Sequence, residues 1–128
     1  MKGYIINIEE ETRTNGDYRR VLYTAKNSQL VLMTLKPGEE IGMEVHHLDQ
    51  FLRFEAGTAK VILDGVEHEV SDGWAVVVPA GTNHNVINTG SDELKLYTVY
   101  SPPNHKDGTL QHTKADEVEE HFDGVTTE

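Results

Sequence analysis

Four side chains that could hold a metal ion fall at two places in the chain. Glu44, His46 and Gln50 lie in the stretch 38–57, and His84 lies in the stretch 73–88. Successive side chains of a strand point to opposite faces, so Glu44 and His46 share one face while Val45 and His47 take the other. Gln50 opens the following strand after a three-residue turn and can return over His46. His84 enters from a distant strand and could close the site from across a barrel. Imidazole, carboxylate and amide oxygen together suit a borderline divalent metal such as Zn, Fe, Mn or Ni. An inward carboxylate needs a partner, and a metal is a natural one for Glu44. If Glu44 is not a ligand, it is the candidate catalytic residue, as a base that moves a proton. Gln50 has a second reading, as a hydrogen-bonding residue that orients His46.

Other titratable groups read differently. Parity turns His47 away from the site, Asp49 belongs to the turn, and His68 follows a hairpin. His105, His112 and His121 lie near the C-terminal end, where His105 or His112 could fold back as a lid. Phe51 and Trp74 read as packing or dimer contacts. No Ser/His/Asp arrangement is legible, and a chain without cysteine has no thiolate nucleophile, disulfide or zinc knuckle. The net charge of −11 opposes binding to nucleic acid or an anionic membrane, so a small molecule is the expected partner. Arg53 is out of phase with Gln50, and Arg19 and Arg20 lie early in the chain. That scarcity of inward cations counts against a phosphate substrate.

The elements that must position these residues are short. The 128 residues suffice for one domain. Runs rich in Val, Ile, Leu, Tyr and Thr predict strands at 4–8, 19–25, 29–35, 41–46, 50–56, 59–63, 66–70, 74–78, 84–88 and 94–100. Regular short strands with turn signals indicate an all-β sandwich or barrel. Asp64-Gly65 marks a two-residue hairpin, because both central residues need positive φ. Asn27-Ser28 marks a second turn. One helix is predicted near 114–121, with Thr113 as its cap and Asp116 three residues on. The barrel is expected over 1–100, and 101–128 forms a tail that wraps the surface, frays or covers a pocket. No secretion signal is legible at the N-terminus. The longest apolar stretch, Trp74 to Ala80, is far short of the ~20 residues a membrane helix needs. With no cysteine, this fits a cytoplasmic protein. The Tyr4–Ile8 segment could pair with a neighbour's sheet edge, giving a homodimer.

The two motif stretches resemble the cupin superfamily. Its first motif runs Gly, five residues, His, one residue, His, three or four residues, Glu, six residues, Gly. Gly38, Glu44, His46, Gln50 and Gly57 hold that spacing. Its second motif runs Gly, five residues, Pro, one residue, Gly, two residues, His, three residues, Asn. Gly73, Pro79, Gly81, His84 and Asn88 hold it without departure. The resemblance covers roughly 28–100 and implies a double-stranded β-helix, the jelly-roll barrel. It also implies metal ligands at Glu44, His46, Gln50 and His84. Two of these depart from the family pattern, since glutamate stands for the first histidine and glutamine for the glutamate. The donor set remains two nitrogens and two oxygens with one negative charge. In ligand types, though not in order, it is similar to the zinc site of the phosphomannose isomerase branch. In this reading the glycines serve turns, and Asn88 bonds backbone.

Three functions follow as expectations. The first is a metal-dependent enzyme on a small oxygenated molecule such as a sugar or keto acid, of isomerase or epimerase type. The second is a dioxygenase using Fe, Mn or Ni. The third is a non-catalytic module that binds a small ligand, since fold does not fix function.

Overall fold

A computed structural model describes residues 2–128. It contains nine strands: β1 (Arg19–Thr24), β2 (Gln29–Leu35), β3 (Asp49–Ala56), β4 (Thr58–Leu63), β5 (Val66–Ser71), β6 (Ala75–Val78), β7 (His84–Asn88), β8 (Leu94–Ser101) and β9 (Leu110–Gln111). They form two antiparallel sheets, β6-β3-β8-β2-β1-β9 and β5-β4-β7, the two layers of a jelly roll. Alternation along β8 buries Leu94, Leu96, Thr98 and Tyr100. Leu52 and Phe54 of β3, Val31, Met33 and Leu35 of β2, and Val61 and Val86 of the smaller sheet complete the core between the layers. The Asp64-Gly65 turn has positive φ at both residues, as a two-residue hairpin requires, and pairs Leu63 with Val66.

Three sequence expectations are corrected. The segment 4–8 is not a strand. A helix, α1 (Ile8–Thr14), begins at its end. The Asn7 side chain accepts a hydrogen bond from the Glu10 backbone N–H (3.2 Å), and Glu9, Glu10 and Glu11 place negative charge on the first turn. The helix packs against β8 and β3, and at its C-cap Asn15 exchanges hydrogen bonds with Thr34 of β2. Tyr4 stacks on Tyr23 with ring centroids 5.3 Å apart.

The segment 41–46 is not a regular strand either. It runs beside the free edge of β7 through separate bridges, Glu40 to Ile87 and Glu44 to His84. Gly42, at φ 107°, breaks the ladder between them, and its N–H donates instead to the Asn85 side chain (2.9 Å). Alternation survives the break, so Glu44, His46, Leu48 and Gln50 face inward while Met43, Val45, His47 and Asp49 are exposed.

Finally, the helix expected over 114–121 is a single 3-10 turn, Lys114–Asp116, which keeps the Thr113/Asp116 capping box. Beyond it the chain is extended. The C-terminal segment is docked by side chains rather than by helix. Buried Gln29 donates to the His105 carbonyl (2.7 Å) and accepts from the N–H groups of Asn104 and His105. Thr127 bonds Thr24 through both backbone and hydroxyl. Among the described residues no helix is long and apolar enough to cross a membrane.

Two measurements check this architecture. Gly57, at φ 95°, faces the Glu93 carbonyl oxygen, which an added Cβ would approach to 3.0 Å, whereas Gly73 at φ 87° faces open space. Urea denaturation should show Gly73→Ala losing about 1–2 kcal/mol from backbone strain alone. Gly57→Ala should lose about 1–3 kcal/mol more from the clash. Equal losses would contradict the close approach. The second measurement concerns His105. Burial, with the positive charge of Arg19, His46 and His121, pushes its imidazole down to about 3. An unfolded histidine titrates near 6.5, so the stability that neutral His105 contributes is complete above about pH 6.5. It is lost as pH falls toward 3, at up to about 1.4 kcal/mol per pH unit. The stability gap between wild type and His105→Gln should therefore narrow between pH 6.5 and 4. A constant gap would show that burial of this imidazole is not what the acid limb reports.

Candidate metal centre

The two motif stretches meet through the backbone before any side chain is considered. Glu44 N–H donates to the His84 carbonyl (2.8 Å) and His84 N–H donates to the Glu44 carbonyl (2.9 Å). Gly81 N–H donates to the His46 carbonyl (2.8 Å), and the Asp49 carboxylate accepts from Ala80 N–H (2.9 Å). These bonds fix the segment carrying Glu44 and His46 against the start of β7.

From that frame the side chains of Glu44, His46 and His84 bring one ligand atom each to within 4.8 Å of one another. The His46 and His84 rings lie 5.1 Å apart, centroid to centroid, on the same side of the barrel. His84 Nδ1–H faces the Thr82 carbonyl at 2.9 Å, which leaves Nε2 with its lone pair free. His46 Nε2 stands 2.7 Å from a Glu44 carboxylate oxygen, yet this buried nitrogen makes no hydrogen bond of acceptable angle. Burial raises the Glu44 carboxyl, but contact with His46 and the charges of His46, Arg19 and His84 outweigh it and hold the group below its usual range.

Gln50 approaches from the other sheet. It is buried, and across the ladder it faces Tyr100, whose ring meets His46 edge-on at 6.0 Å. Its amide nitrogen donates to Thr98 (3.0 Å), while Oε1 is buried without a partner. Buried acceptors without donors are uncommon and costly. Gln50 Oε1 is one such acceptor, and the converging Glu44, His46 and His84 are a ligand set that fits a divalent cation. Asn88, as expected, bonds backbone, donating to the carbonyls of Leu35 and Asp92. His47, His68 and Trp74 are exposed.

A cavity of about 390 Å³ opens beside these groups. Glu44, His46 and His105 line it, together with Arg19 and residues 117–121 of the C-terminal segment. Arg19 is the functional residue that sequence reasoning missed. It faces inward from β1, its side chain is 4% exposed, and it bonds Gln111 (2.7 Å) and Glu117 (2.9 Å). The signal available was its position one residue before the exposed Arg20, on the face shared with Val21. Tyr100, fully buried, is pushed well above the usual phenol range by burial and stays protonated, 3.3 Å from His105 Nε2.

The cupin domain profile matches residues 31–100. An uncharacterized protein of Bacillus subtilis, YrkC, is 48% identical over 124 residues, covering 91% of this chain and 67% of the relative. The crystal structure of BH2720 from Bacillus halodurans superposes with a TM-score of 0.88 at 46% identity, over 90% of this chain and 92% of that one. Mannose-1-phosphate guanylyltransferase of Escherichia coli is 34% identical over 74 residues, which is 57% of this chain and 16% of that enzyme. The two motifs, the two-layered barrel and these similarities agree: the chain belongs to the cupin superfamily, as a small single-domain cupin.

Proposed function

We propose that this cupin binds one divalent metal ion through Glu44, His46, His84 and Gln50 Oε1, and acts on a small oxygenated molecule such as a sugar or keto acid. The reaction class is isomerisation or epimerisation. The observation that carries the metal reading is the convergence of Glu44, His46 and His84, whose ligand atoms all lie within 4.8 Å of one another, with Gln50 Oε1 buried and without a partner on the facing sheet. A bound divalent ion would supply Lewis-acid polarisation of a carbonyl or enediolate oxygen.

The remaining work falls to the chain. The Thr82 carbonyl holds the tautomer of His84, and Thr98 holds the Gln50 amide with its oxygen free. Where Glu44 does not itself ligate the ion, its carboxylate, about one third exposed and bordering the cavity, can take a proton from a carbon next to a carbonyl. Returning that proton to the former carbonyl carbon, while the hydroxyl proton passes to the former carbonyl oxygen, completes an isomerisation with no further reactant. The similarity to an enzyme named for a mannose phosphate supports a sugar-like substrate.

Two experiments test the reading. Elemental analysis of protein purified without chelator should find about one metal ion per chain, falling at least tenfold in His46→Ala and in His84→Ala. It should also fall as pH drops below about 6, because a bound imidazole must be neutral. Retention of metal in the double variant would remove the assignment. Second, incubation with aldoses, ketoses and 2-keto acids in deuterated water should exchange a carbon-bound proton, followed by NMR. Glu44→Gln should slow that exchange about a hundredfold or more. Exchange undiminished in a Glu44→Gln protein that keeps its metal would exclude Glu44 as the base. Oxygen consumption without proton exchange would point to a dioxygenase.

A further inference from the structure

Arg19 and Glu117 form an ion pair inside the cavity, and its geometry is incomplete. Both hydrogen bonds of the guanidinium leave from one nitrogen, Nη1. Nε is buried and has no partner. A guanidinium presents its N–H groups as a planar fork that matches a carboxylate with two parallel bonds. Glu117 engages it through a single oxygen, which also lies 3.4 Å from the Tyr18 hydroxyl. The cation is therefore held in place, desolvated and only partly satisfied.

Its partner is held less firmly. Glu117 follows the 3-10 turn, which Lys114 pins to the carbonyls of Glu40 and Ile41. The chain meets the barrel again where His121 bridges His105 and Phe122 N–H bonds the Asn104 carbonyl. Between these anchors, residues 117–120 bond only within their own segment along the backbone, and Val118 is 57% exposed. The Glu117 side chain is about one third exposed, against 4% for Arg19.

We infer that Arg19 is the substrate-recognition residue of this cavity, that it selects a small carboxylate, and that Glu117 occupies its place until such a molecule displaces it. The inference rests on the reading of this cavity as the substrate site. Exchanging one carboxylate for another at Arg19 leaves the local charge unchanged, so desolvation of the cation is not repeated. A carboxylate set end-on across Nη1 and Nη2 adds the second parallel bond that Glu117, held through one oxygen on Nη1, leaves unmade. The same molecule then lies in a cavity that Glu44 and His46 also line. A 2-oxo or 2-hydroxy acid has this form, with a carboxylate at one end and a carbonyl or hydroxyl carbon beside it.

The test uses the full chain, in low-chloride buffer, with lactate as the carboxylate and propane-1,2-diol as its uncharged counterpart. Lactate should shift the Arg19 Nε–H resonance and the backbone amides of 117–121 in ¹H–¹⁵N spectra. Glu117→Gln should bind lactate at least fivefold more tightly, because the competing charge is gone, while diol binding is unchanged. Arg19→Lys, which keeps the charge but not the fork, should weaken lactate at least tenfold, with folding checked by thermal melting. Each titration is run on metal-free and metal-loaded protein. A lactate effect at Arg19 in protein that binds no metal would refute the metal reading and leave this one standing. Metal binding together with a silent Arg19 resonance and no gain in Glu117→Gln would overturn this inference alone. An equal gain for sulfate would overturn the assignment to carboxylates.

Discussion

The reciprocal pair of backbone bonds between Glu44 and His84 is the constraint on which the site depends. The segment from Glu40 to His46 belongs to no ladder, and Gly42 interrupts even its partial pairing with β7. The bonds at Glu44 and from Gly81 to His46 continue a series that starts with Gly38 and Glu39 on Asn88 and Ile41 on Val86, and together they hold the first motif against the second. With them, residues forty positions apart present lone pairs to one small volume. That arrangement is unfavourable in itself, since it takes a carboxylate and two imidazoles out of water and leaves Gln50 Oε1 buried without a donor. It persists because the surrounding sheets fix each donor separately: Thr82 orients His84, Thr98 orients Gln50, and the edge of Tyr100 packs against His46. A site built this way is set before its ligand arrives, which is what pre-organisation requires.

Much of this was legible in the sequence because it rests on spacing and parity. The inward set Glu44, His46 and Gln50 follows from alternation alone, and alternation proved sturdier than the strand expected to carry it. Irregularity at Gly42 could be read only with knowledge of Asn85, whose side chain replaces the missing ladder bond. At the N-terminus two signals competed. Tyr4-Ile5-Ile6 has the composition of a strand, while Asn7 followed by three glutamates is a helix start, and the cap decided the matter from Ile8 onward. Ile5, 94% exposed, shows that β-propensity without a face to pack on builds no strand.

The C-terminal segment failed as a helix for an electrostatic reason and a tertiary one. Continuing the turn past Asp116 would set Asp116, Glu119 and Glu120 at three- and four-residue spacing, which places like charges together. Glu117, meanwhile, finds Arg19 only if the chain straightens. Neither residue advertises the other in sequence, being 98 positions apart. Arginine on a strand ordinarily reads as a solvent-facing residue, and only the closing of β9 and the C-terminal segment over β1 turns Arg19 inward.

The cavity thus has walls of two kinds. One is the barrel, where Glu44 and His46 are fixed by backbone bonds and Arg19 by its place in β1. The other is an extended segment tied at both ends and loosely packed between them. Local stability follows contact density, so the second wall opens at lower cost than the first. The division lets the candidate metal ligands stay rigid while the second wall moves. It also explains why the acidic residues of the chain accumulate where they do. Glu117, Glu119 and Glu120 line a cavity that holds the Arg19 guanidinium, and Glu117 compensates that desolvated cation.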